Sequence, residues 1–132
     1  MRLLIALIVL IGLVSASFQT TYSETPAEMQ YKRSMKMYYA SETNDTRAPE
    51  TALKLMQTSA NTGYAPARFA LAIGMVGNEL TENSTQILVE LCNDEGYLDA
   101  CNELARSFSD HNMTLAIHFA KKAADEKYLF SR

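Results

Sequence analysis

The chain has 132 residues, 48% of them hydrophobic and 20% charged, with a formal net charge of −3. This length suits one domain with its own core, and the weakly acidic balance lacks the basic footprint of a nucleic-acid-binding protein. Two cysteines in C-x8-C spacing and two histidines supply neither a zinc ligand set nor a redox C-x-x-C motif, so no metal and no cofactor is expected.

Residues 1–16, "MRLLIALIVLIGLVSA", read as a secretory signal peptide. Arg2 provides the positive end, Leu3 to Val14 the apolar run and Val14-Ser15-Ala16 the small-residue cleavage pattern. The alternative is an uncleaved anchor, but the run of 12 residues falls short of the roughly 20 that span a bilayer. Cleavage after Ala16 leaves 11 basic and 15 acidic residues, or −4. No later run is long enough to span a membrane. The expected location is periplasmic or secreted, without membrane insertion after signal cleavage. An even cysteine count in an exported protein is compatible with a disulfide.

An exposed leader is expected over 17–24 and a helical domain over 25–132. The first helix, 26–41, has Thr25 as its cap, Glu28 reaching back and Pro26 in its first position. After a loop at 42–48, a helix over 49–61 places apolar or small residues at 52, 55, 56, 59 and 60, the spacing of one face. Pro49 suits its first turn and Glu50 its positive end. Gly63 can take the left-handed conformation that ends it. The helix over 65–76 sets Ala67, Ala70, Leu71, Gly74 and Met75 on or near one side, with the small residues admitting a partner helix and Leu71 and Met75 filling the remaining space. A loop at 77–83, helices at 84–94 and 98–109, a loop at 110–112 and a helix at 113–129 complete the order.

The chain repeats itself. At a shift of 33, "GYAPARFALA" (63–72) becomes "GYLDACNELA" (96–105), and upstream Leu55, Met56 and Ser59 fall on Leu88, Val89 and Cys92. A half copy closes the chain: Ala116, Ile117, Ala124 and Tyr128 stand at a shift of 64 from Ala52, Leu53, Ala60 and Tyr64. A repeating helix–turn–helix unit of this period reads as a stacked array.

"ALKLMQTSANTGYAPARFALAIGMVG" and "ILVELCNDEGYLDACNELARSF" resemble Sel-one-like repeats, a branch of the tetratricopeptide-like solenoids. The family's alanine near the start of the first helix, small pair near its end, glycine, alanine and Leu-Ala pair match Ala52, Ser59–Ala60, Gly63, Ala67 and Leu71–Ala72. The second copy keeps Gly96, Ala100 and Leu104–Ala105, but its small pair has become Cys92–Asn93. It also lacks the glycines that Gly74 and Gly77 supply after the second helix of the first copy. The resemblance implies an all-α right-handed superhelix of antiparallel helix pairs, about two full repeats with partial terminal units. It further implies a disulfide between Cys92 and Cys101 joining the helices of one unit, with buried free thiols as the alternative.

No catalytic residue is expected. His111 falls in a loop, His118 sits on a helix beside Phe119, and neither has a nucleophile arranged with it. The acidic patch of Glu90, Asp94 and Glu95 reads as a solvated helix end. Met29, Met35, Met37, Met56 and Met75 at helical spacing read as core, although methionines also build adaptable binding surfaces. Asn-x-Ser/Thr triplets at Asn44, Asn83 and Asn112 are uninformative as glycosylation signals. Partner-binding rows are expected on the first helices of the units, at Lys54, Ile87 and His118 and at Gln57, Glu90 and Lys121, against another protein or peptide.

The family resemblance implies an exported protein–protein interaction module, an adaptor or assembly factor of the bacterial cell envelope. Two alternatives are an immunity-type protein neutralising a toxin and a β-lactam-binding or hydrolysing enzyme. The sequence lacks the Ser-x-x-Lys motif that would support the enzyme. Leu129 and Phe130 lie near an uncapped end and either fold back or form a dimer contact.

Overall fold

The computed structural model describes residues 23–40, 48–74 and 80–130. The signal-peptide reading over 1–16, most of the leader, Asn44 and Met75 lie outside the described residues, as do the side chains of Leu129 and Phe130. Among the described residues the chain is all-α: α1 (Pro26–Ala40), α2 (Ala48–Asn61), α3 (Ala65–Gly74), α4 (Glu82–Asn93), α5 (Leu98–Phe108) and α6 (Met113–Phe130).

Local chemistry fixes the helix ends. The Thr25 hydroxyl accepts from the Glu28 N–H at 3.2 Å, and the Asn112 side-chain oxygen accepts from the Leu115 N–H at 3.1 Å, so α1 and α6 start on side-chain caps. Thr81 does the same for α4, accepting from the Ser84 N–H at 3.2 Å. That cap draws the start of α4 to Glu82, two residues before the expected 84. Gly63 at φ 88° and Gly96 at φ 62° are the two positive-φ residues among those described. After Gly96, the Tyr97 N–H reaches back to the Leu91 carbonyl at 2.9 Å, the six-residue bond that closes a helix C-terminus.

Each helix makes its principal contacts with its neighbours in the chain, giving antiparallel pairs stacked as a short α-solenoid. The repeat shows in the packing: Ser34, Ala67 and Ala100, spaced by 33 residues, are all fully buried. At each such point a small side chain lets helix backbones close together. Tyr31 and Tyr64 form another such series, edge to face at 5.6 Å.

The C-terminal half, α4–α6, holds a continuous apolar core. Leu88, Leu91 and Leu104 are wholly buried, Phe119 and Ala123 close over them, and Ala72 of α3 joins from the other side. Cys92 and Cys101 are disulfide-bonded within this core, at a Cα–Cα distance of 4.9 Å and with no exposure. The bond spans the Gly96 turn and ties α4 to α5.

The N-terminal half, α1–α3, is held differently. The Ser34 hydroxyl of α1 donates to the Ala52 carbonyl of α2 at 2.5 Å, and the Ser59 hydroxyl of α2 donates to the Ala27 carbonyl of α1 at 2.7 Å. These reciprocal bonds satisfy buried hydroxyls that would otherwise be costly.

Candidate functional site

The close fit of α1 on α2 leaves Tyr38, Tyr39 and Leu53 at the surface. Met35, Tyr38 and Tyr39 of α1, Leu53 and Met56 of α2, and Leu71 and Ile73 of α3 line an apolar groove of about 410 Å³. Tyr39 is 70% exposed, Tyr38 63%, Leu53 50% and Ile73 41%. Large apolar side chains gathered around one concavity mark a docking surface, whereas scattered ones are ordinary. The floor of the groove includes Ser34 and Ala52, whose cross-helix bond fixes the two walls relative to each other.

Two expectations are corrected here. Met29, read as core, is half exposed, because the inner face of α1 is filled by Ser34 and its neighbours. On α3, the residues turned into the C-terminal core are Phe69 and Ala72, so Leu71 stands on the groove wall rather than filling the space between helices.

The six expected partner-binding residues do not line this groove. Lys54 and Gln57 are exposed on α2, with the Lys54 ammonium 3.1 Å from Glu50. His118 and Lys121 are exposed on α6. Ile87 is half-buried against the C-terminal core. Glu90 belongs to an ion-pair cluster: Arg68 of α3 reaches Glu90 at 2.9 Å and Glu95 at 2.5 Å. Of the acidic patch read as a solvated helix end, Asp94 is exposed, while Glu90 and Glu95 form a bracket with Arg68 across the α3–α4 seam. The two carboxylates lie 22 and 27 residues from Arg68, too far for any local pattern to show.

Other polar groups have structural roles. Lys32 is held above its ordinary pKa by Glu24 and Glu28. Burial pushes the Tyr97 phenol up to about 12, where its ring packs against Phe69 at 5.5 Å. His111 lies against Phe108 and His118 against Phe119. Among the described residues, no group of three or more His, Cys, Asp or Glu side chains could hold a metal ion, and no helix is long and apolar enough to cross a membrane.

No protein-family model, no curated protein and no solved structure matches this chain.

The groove could have been signalled in sequence by "MKMYY", residues 35–39. Methionine and tyrosine supply large, adaptable contact area, and that pentapeptide concentrates them at the end of one helix.

Proposed function

We propose that this chain is an exported protein-interaction module, an adaptor or assembly factor of the bacterial cell envelope built from Sel-one-like repeats. It acts by binding and performs no chemistry of its own. The observation that carries this reading is the apolar groove on α1–α3, whose exposed Tyr38, Tyr39, Leu53 and Ile73 gather large apolar side chains around one concavity. The N-terminal apolar segment and its cleavage pattern support export.

The test has two arms. Fractionation of cells expressing the full precursor should place the chain outside the cytoplasm with Ser17 as its new N-terminus. A photo-crosslinking amino acid at Leu53 should trap a protein partner, whereas one at the remote, exposed Asp110 should not. Retention in the cytoplasm with an intact N-terminus would sink the export reading. Turnover of nitrocefin would replace the binding role with an enzymatic one.

A further inference from the structure

The face of α1 that ends at the groove begins at an ion-pair cluster holding the chain that enters the helix. Glu28, Lys32, Met35 and Tyr39 recur at i, i+4, i+7 and i+11, one stripe of α1. At the start of that stripe Lys32 meets Glu28 at 3.0 Å and Glu24, which precedes the helix, at 2.5 Å. The entering chain is therefore tied over the stripe that leads to Met35 and Tyr39, two residues of the groove lining.

At its far end the groove is bordered by helix termini. Tyr38 and Tyr39 stand in the last turn of α1, and Ile73 in the last turn of α3. Neither turn carries a basic side chain, so the negative ends of two helix dipoles receive no cation from their own helices. The positive end of α2 lies there too, but Glu50 in its first turn already answers it.

We propose that residues 17–22, the amino-terminal segment left by cleavage after Ala16, run back along the α1 stripe and seat Phe18 in the groove. The proposal rests on the reading of the groove as a docking surface and names its resident occupant. Length supports it. Phe18 lies five residues before Ser23, about 17 Å in an extended chain. Tyr38 lies twelve residues after Pro26, about 18 Å along a helix. Phe18 thus draws level with Tyr38, and the amino group of Ser17 falls at the two helix C-termini, which it complements. In an extended segment Phe18, Thr20 and Tyr22 share one side, leaving Gln19 and Thr21 to solvent. Being tethered, the segment competes at a local concentration on the order of millimolar, so an incoming partner must displace it. Signal cleavage creates the amino group and thereby sets the strap.

Photochemical cross-linking tests this on the chain produced to begin at Ser17. With Phe18→p-benzoylphenylalanine, irradiation of the monomer should join position 18 to peptides containing Tyr38 and Tyr39, Leu53 or Ile73, identified by mass spectrometry. Gln19→p-benzoylphenylalanine should give roughly fivefold less of that product, because it faces the other way. Acetylating the α-amino group of Ser17 should lower the yield from position 18 about threefold. Cross-links scattered over other surfaces, equal yields from positions 18 and 19, or a yield untouched by acetylation overturn the proposal. If position 18 joins nothing in the groove while the crosslinker at Leu53 traps a protein partner, the strap falls and the docking reading stands. If neither traps anything, both fall.

Discussion

Leu71 and Leu104 occupy the same place in the 33-residue repeat, yet Leu104 is wholly buried and Leu71 stands half-buried on the groove wall. Around Leu104, the side chains of Leu88, Leu91 and Phe119 form one core with the disulfide. Around Leu71, the neighbouring helices meet through Ser34, Ala52, Ser59 and Ala67. Small residues and hydroxyl-to-carbonyl bonds draw the backbones together there, and of the bulky side chains of α1 and α2 only Met56 is buried. One repeat pattern thus yields a sealed core in α4–α6 and an outward-facing apolar channel in α1–α3.

The widest contrast should come from truncating the two leucines. Leu104→Ala leaves a cavity in packed surroundings and should cost about 3–4 kcal/mol, whereas Leu71→Ala should cost under about 1 kcal/mol. Urea unfolding of both variants measures the difference, and equal losses would mean that the halves are packed alike. Next in size is the cross-link. Replacing Cys92 and Cys101 together by alanine should remove roughly 2–3 kcal/mol in the chain-entropy model. In hydrogen exchange, amide protection should fall first in α4 and α5, and a first loss in α1 would break the contrast.

The hydroxyl bonds of the N-terminal half give a smaller effect. Ser59→Ala removes the bond to the Ala27 carbonyl and should cost about 1 kcal/mol, read from the shift of the urea midpoint. Ser59→Val, which overfills the α1–α2 seam, should cost more.

Smallest is a pH effect at the seam between the halves. The Tyr97 phenol is raised to about 12 in the folded chain by burial, against about 10 when unfolded. Between those values the folded state holds a proton that the unfolded state has lost. Its contribution is therefore complete below pH 10 and disappears as pH rises from 10 through 12. Urea titrations across that window should show the decline, and Tyr97→Phe should flatten it.

The helices were legible because their signals are local. Thr25, Pro26 and Pro49 mark starts, and Gly63 and Gly96 mark ends, within a few residues of where each acts. The pairing of Cys92 with Cys101, nine residues apart, was implied by the resemblance to Sel-one-like repeats and by an even cysteine count, not by a local signal. The groove was not legible, since helical periodicity shows which face of α1 is apolar but not whether another helix covers it. Met29 was misjudged for that reason. The Arg68 bracket escaped because Glu90 and Glu95 sit on another helix and its following turn. Ile87, expected on a partner-facing row, is half-buried against the core.

Because the principal contacts of each helix are with its neighbours in the chain, assembly closes few long loops. A topology of this kind favours fast folding, with growth outward from whichever adjacent pair forms first. Inserting one more 33-residue unit beside the cross-linked α4–α5 hairpin should lengthen the array without rebuilding either end.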